Sequence, residues 1–236
     1  MGKRITSQKR GKGSPAYKVP SFNFAGKVIF PRGETTAFVE DIIHCRGHTA
    51  PLAAVVYEES IPGLLIASEG VSVGDTLQIG MQADLKVGNT LSLSNIPEGT
   101  AVFNIEARPG DGGKFVRASG ATAKVVSRSK DGVIVSFPSK KTKKFHPNCR
   151  ATLGVAAGGG RPDKPFGKAG KKFYAMKAKN KYWPKVSGAS MNAVDHPLGG
   201  SRSSRKGRPT MVPKNAPPGR VVGSLRARRT GRKKGK

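Results

Sequence analysis

A chain of 236 residues with 43 Lys and Arg against 14 Asp and Glu carries a formal charge of +29, far beyond what solubility asks and self-repelling in a compact state without a polyanion nearby. Two cysteines, Cys45 and Cys149, are too few for a disulfide framework and suit a reducing compartment. No apolar run approaches the ~20 residues that span a bilayer, and the start, MGKRITSQKRGKGSP, lacks the apolar segment of a secretion signal, so a cytoplasmic protein with no membrane partner is expected.

Residues 1–20 hold six basic residues and no acid, which predicts a basic N-terminal arm with Lys3, Arg4, Lys9 and Arg10 on phosphates. Gly2 with Thr6 also fits the short myristoylation pattern. That leaves a polybasic membrane-associated protein as an alternative reading.

From Phe22 to Leu153 the sequence reads as short strands between turns. GKVIF, TAFVEDIIH, LAAVVYE, GLLIAS and DTLQIG come first; TLSLS, TAVFNIEA, FVRA, ATAKVVSRS and GVIVSF follow. Several alternate apolar and polar residues, and Val, Ile, Phe and Thr dominate them. The links are turn chemistry: Val73-Gly74-Asp75, Val87-Gly88-Asn89, Pro97-Glu98-Gly99, Asp111-Gly112-Gly113 and Asp131-Gly132. An all-β fold is predicted. A polar break near 83–87 favours two five-stranded barrels, residues 21–84 and 85–160, over a single ten-stranded sheet. Small barrels of the OB and SH3-like types commonly carry nucleic-acid contacts.

Beyond Leu153 the texture changes. Residues 139–236 hold 27 basic residues against Asp163 and Asp195, with a helical turn or two expected around 171–179. From 184 to 236 there is no aromatic residue, while eight Gly and six Pro interrupt the chain. Such a segment buries too little to offset about 1–2 kcal/mol of backbone entropy per residue. Residues 161–236 are therefore expected to form an extended basic tail that orders on its partner.

Three kinds of chemistry suggest themselves along this chain. His196 lies between Asp195 and Pro197, but a catalytic histidine needs a nucleophile and a carboxylate on different ring nitrogens, and the surrounding glycine-rich chain offers nothing rigid to hold them. Gly158-Gly159-Gly160 and the Gly-Lys pairs at 167 and 170 fail the phosphate-loop spacing, since Pro162 and Pro165 stand where its first glycine belongs and Ala169 and Lys172 where Ser or Thr would follow. Those glycines are expected instead to let backbone approach a phosphate chain, with Arg161, Lys164 and Lys168 supplying charge. His44, Cys45, His48, His146 and Cys149 are zinc-ligand chemistry, and a zinc-dependent RNA-modifying enzyme is a further alternative. Adjacent strand residues point to opposite faces, so no metal site and no cofactor are predicted. The long cationic stretch with interleaved aromatics points to nucleic acid, and its irregularity to a folded RNA.

Three passages then carry a resemblance: HPNCRATLGVAAGGGRPDKPFGKAGKKFYAMK, YWPKVSGASMNAVDHPLGG and NAPPGRVVGSLRARRTGR. They resemble the C-terminal half of the large-subunit ribosomal protein L-two family in its archaeal and eukaryotic form, and the likeness runs more loosely to the amino terminus. It implies an OB-fold barrel followed by an SH3-like barrel, with both ends threading into 23S-type ribosomal RNA. It also implies a non-enzymatic role in subunit association, tRNA binding and assembly of the peptidyl transferase region, beside other ribosomal proteins and with a small-subunit contact. His196 falls at the family's histidine. The side chains expected on RNA are Lys171, Lys172, Lys177, Trp183, Asn192, Asp195, His196, Arg202, Arg205, Lys206, Arg208, Arg220, Arg226, Arg228 and Arg229, with Gly199 and Gly200 giving close backbone approach. The chain departs from the family at Cys45, Arg46 and His48, where Asp, Pro and Arg are common, and its glycine run after DHP is one residue shorter.

Overall fold

The computed structural model describes residues 2–58, 60–129, 131–200, 210, 213–217 and 227. The chain divides into two compact units, Pro20–Gly167 on the one hand and Met1–Val19 with Lys168–Lys236 on the other.

Within Pro20–Gly167, ten strands form among the described residues: β1 (Thr35–Ile43), β2 (Leu52–Tyr57), β3 (Pro62–Ile66), β4 (Thr76–Ile79), β5 (Thr90–Ser92), β6 (Ala101–Phe103), β7 (Ala123–Ser129), β8 (Gly132–Ser136), β9 (Thr142–Phe145) and β10 (Arg150–Leu153). The fold is all-β. Alternation decides which side each strand buries: Ala37 and Val39 of β1 are fully buried while Phe38 and Glu40 are exposed. The hydrogen-bonded order is β3-β2-β1-β4-β5-β10-β6-β7-β8-β9, a single continuous ladder. Its middle is thin, because β4 meets β5 through one parallel pair, Ile79 with Thr90.

Packing divides what the ladder joins. One cluster gathers β1–β4 around Val39, Val55, Leu65, Leu77 and Ile79. A second gathers β5–β10 around Leu93, Val102, Val125, Val135 and Phe145. A third, with Leu52, Ile66, Phe103 and Ala156, draws residues from both halves and braces them together. Each such aliphatic side chain contributes about 1.5–3 kcal/mol by leaving water.

Two expected strands are absent, and two formed where none was expected. Residues 26–30 form no strand although Val28 and Phe30 are buried, and arginines claim nearby carbonyls: Arg117 Nη2 donates to Val28 O at 3.0 Å and Arg150 Nη1 to Pro31 O at 2.8 Å. In 115–118 the pairing is limited to a bridge between Phe115 and Ile105 and a bond from Asn104 N to Val116 O at 2.9 Å, and Val116 takes a left-handed φ of 56°. In β9 three of four residues are exposed and two are lysines, so no apolar alternation marks it. β10 is four residues long and lies between β5 and β6.

A buried ion pair fastens β10. Glu106 is fully buried, and its Oε1 accepts from Arg150 Nε at 3.2 Å and Nη2 at 3.0 Å, and from Gly112 N at 3.1 Å. Its Oε2 accepts from the backbone N–H groups of Arg150 at 2.9 Å and Gly110 at 3.2 Å. With both oxygens saturated, the cost of burying the charge is offset locally.

The other unit holds α1 (Thr6–Gly11) and α2 (Ala169–Ala178), with short 3-10 turns at Pro15–Tyr17 and Gly188–Ser190. Its segments are thus extended only in part. The helix expected near 171–179 forms as α2.

Candidate nucleic-acid interface

Charge separates along the same division as packing. Lys and Arg outnumber Asp and Glu 26 to 1 in the sequence of the unit made of Met1–Val19 and Lys168–Lys236, and 17 to 13 in Pro20–Gly167. The single acid among those 26 bases is Asp195. Its Oδ1 pairs with Lys3 Nζ at 3.2 Å, and the backbone of Lys3 also donates to Val194 O at 2.8 Å. The amino-terminal segment is thereby held against the stretch that contains His196. Gly2 fits there because it has no side chain, since a Cβ would meet the backbone of Ala227.

His196 is the keystone of a turn. Its Nδ1 accepts from Leu198 N at 3.1 Å, its backbone N–H donates to Asn192 O at 3.3 Å, and its carbonyl accepts from Gly199 N at 3.0 Å. The Nδ1 acceptor role assigns the neutral ring's proton to Nε2. Burial holds its pKa below the ordinary histidine value, which favours the neutral form. The ring lies over Gly188, where a Cβ would come within 2.3 Å of Cε1. Asp195 faces Lys3, so a Ser-His-Asp arrangement has no carboxylate on Nδ1 and the hydrolytic reading fails on geometry.

Gly199 and Gly200 serve this turn. A Cβ on Gly199 would lie 2.4 Å from Asn192 O, and Gly200 has a φ of 89° and donates to Met191 O at 3.0 Å. Asn192 keeps its side chain exposed while its carbonyl accepts from Asp195 and His196. Within the glycine run at 158–160, Gly159 passes close to the chain's own backbone, since a Cβ on Gly120 would sit 2.7 Å from Gly159 Cα, while Gly160 has open space beside it. Arg161 Nε donates to Ser119 Oγ at 3.0 Å beside them, and Lys164 is exposed.

The basic side chains are spread over short elements. Lys3, Arg4, Lys9 and Arg10 are exposed; Lys9 and Arg10 occupy the last turn of α1, where they complement the dipole. Lys168 precedes α2, and Lys171 and Lys172 stand in a first turn that contains no carboxylate. They add to the positive end of the helix instead of neutralising it. Lys177 is exposed near its other end, and Asn180 Nδ2 donates to Lys18 O at 2.6 Å.

Trp183 is only half exposed and lies 5.7 Å from Lys172 Nζ, engaged in a cation–π contact. Phe173, 42% exposed, and Tyr174, 68% exposed, meet edge to face on α2 and offer freer rings. Their adjacency in KKFYAMK was the available signal. Arg202, Arg205, Lys206, Arg208, Arg220, Arg226, Arg228 and Arg229 lie outside the described residues.

The cysteines of the zinc alternative fall in separate clusters, with Cys45 beside His48 and Cys149 elsewhere. Cys149 is fully buried in the second cluster, where burial, helped by Glu106, pushes its thiol up to about 11. His146 Nδ1 accepts from Asn148 N at 3.2 Å. Cys45 belongs to the third cluster, 3.2 Å from His48 Nδ1, with the His48 ring edge-on to Phe24. Burial would raise the Cys45 thiol, but backbone N–H groups of Ala25, His48 and Gly47 outweigh it and set it below its usual value. Among the described residues no group of three or more His, Cys, Asp or Glu gathers to hold a metal ion. No described helix is long and apolar enough to cross a membrane.

Fold and charge together define an all-β protein with a strongly cationic second unit built around a histidine-locked turn. Residues 86–218 match the family model described as Ribosomal Proteins L2, C-terminal domain. The chain is 53% identical over 234 residues to large ribosomal subunit protein uL2 of Archaeoglobus fulgidus, covering 98% of this chain and 99% of that protein. It is 50% identical over 242 residues to the uL2 protein of Methanocaldococcus jannaschii, covering 99% of this chain and all of that protein. The uL2 protein of Methanothermobacter thermautotrophicus is 48% identical over 241 residues. The chain belongs to the large ribosomal subunit protein uL2 family.

Proposed function

We propose that this protein is a non-enzymatic constituent of the large ribosomal subunit in the cytoplasm, lying along its 23S-type ribosomal RNA. The observation that supports this most is the 26-to-1 excess of basic residues in the unit made of Met1–Val19 and Lys168–Lys236. Those cations neutralise phosphates and release counterions, while Phe173 and Tyr174 supply rings for unpaired bases. On this reading residues 21–84 and 85–160 are the OB-type and SH3-like barrels, and 1–20 and 161–236 are the arms that meet RNA. Arg161, Lys164, Lys168, Lys171, Lys172 and Lys177 contact phosphates, together with the arginines and lysines of 202–229. The His196 turn, fixed by Asn192, Gly199 and Gly200, is a shaped backbone surface that supports the peptidyl transferase region without chemistry of its own. Subunit association, tRNA binding and a small-subunit contact follow from that position.

Crosslinking in cell lysate, followed by sequencing of the RNA attached to this chain, tests the proposal. One dominant large-subunit ribosomal RNA is expected. A spread over unrelated messages, or recovery with membrane lipid and no RNA, would overturn it.

A further inference from the structure

One surface of Pro20–Gly167 is acidic and apolar, in contrast to the cationic composition of the other unit. On the outer face of β1 and β2, Phe38 is 50% exposed and pairs across the ladder with Val56. The two line a cavity of about 370 Å³ with Thr36, Glu40, Tyr57 and Glu58. Among the described residues no lysine or arginine borders it, in a chain that carries 43 of them. The ladder register shifts between Val39 and Asp41, and this bulge leaves Glu40 and Asp41, consecutive in sequence, both exposed. Neither Glu40 nor Glu58 forms an ion pair among the described residues.

The carboxylates, without an ion-pair partner among the described residues, repel a polyanion and attract a cation, and the exposed phenyl ring beside them adds an apolar contact. The ring takes an apolar side chain or a guanidinium face, and the carboxylates take ammonium or guanidinium groups. We infer that the outer face of β1 and β2 is a protein-docking surface for a lysine- and arginine-rich polypeptide segment that places one apolar or arginine side chain against Phe38. The inference rests on the ribosomal reading only for where the segment is met. It assigns this face to protein, against the RNA assigned to the cationic unit.

The test uses the full chain and a fluorescently labelled synthetic Lys/Arg-rich peptide with one central leucine, followed by anisotropy at physiological ionic strength. Saturable binding is expected, about tenfold weaker for Phe38→Ala and for the pair Glu40→Lys with Glu58→Lys, the size of one or two lost surface contacts. Asp131→Lys, a charge reversal in the turn between β7 and β8, is expected to bind as the unmodified chain does. All four side chains are exposed, and unchanged melting temperatures verify folding. Equal peptide binding by every variant, or no binding by the unmodified chain, would overturn the inference. So would loss of ribosomal RNA binding in the Phe38 and glutamate variants, since the face would then belong to RNA. Failure of the unmodified chain to bind ribosomal RNA at all would count against the ribosomal reading and leave the peptide result to decide the docking surface.

Discussion

At the scale of residues, His196 and Gly188 specify each other. A methyl group at 188 would enter the imidazole ring, so Gly188→Ala is expected to displace it and release the Leu198 N–H that Nδ1 accepts. Faster hydrogen exchange at Leu198 in the isolated chain checks this, and unchanged exchange would refute it. The burial of the same ring sets a pH dependence. Burial lowers the folded pKa of His196 below its ordinary 6.5, so the unfolded chain takes up the proton first as the solution is acidified. The stabilisation is therefore complete above pH 6.5 and lost as pH falls through the depressed folded value. His48 shifts in the same direction, through burial and then Arg117. A proton NMR titration resolves the two rings, and the His196 midpoint is expected below that of an unfolded peptide. Glu106 is a third residue with a measurable role: Glu106→Gln leaves Arg150 beside it without a counter-charge and should cost about 3–5 kcal/mol in denaturant unfolding. Replacing both by apolar residues should cost less. The sequence shows Glu106 only as one acid in NIEARPGDGG; its partner is 44 positions away, and no local pattern connects them.

Among elements, legibility followed how each strand is stabilised. β1 and β7 carry period-two burial that can be read from TAFVEDIIH and ATAKVVSRS, while β2 and β8 are marked by the short apolar runs of LAAVVYE and GVIVSF. Residues 26–30 carry the period-two signature, and their burial was legible; the arginines that take nearby carbonyls come from positions 117 and 150, beyond the reach of any window. β9 escaped because it is the terminal strand of the ladder and mostly exposed. Exposed lysines on such an edge discourage pairing with another chain. Replacing Lys144 with valine is therefore expected to increase self-association in light scattering at an unchanged melting temperature. The glycines at 158–160 were legible as a place of close approach, and one neighbour the fold supplies there is Gly120, against Gly159. Sequence shows that space is needed and does not show for what.

For the molecule as a whole, the division of labour is electrostatic. Pro20–Gly167 buries three apolar clusters and holds nearly balanced charge, while the remaining sequence holds almost no acid. That imbalance is legible in the sequence. The bond from Leu198 to His196 and the pairing of Lys3 with Asp195 are not, because they depend on the folded path of the chain. The central claim is that the cationic unit binds ribosomal RNA through phosphates. The most direct measurement is the affinity of the full chain for a large-subunit ribosomal RNA fragment across a series of salt concentrations. A log–log slope steeper than about −4 is expected, equivalent to roughly six or more phosphates on a single strand. Exchanging Lys171, Lys172 and Lys177 for glutamine should make it shallower, while the Glu40→Lys and Glu58→Lys pair should not weaken binding. Salt-independent affinity, or a slope indifferent to those three lysines, would contradict the account.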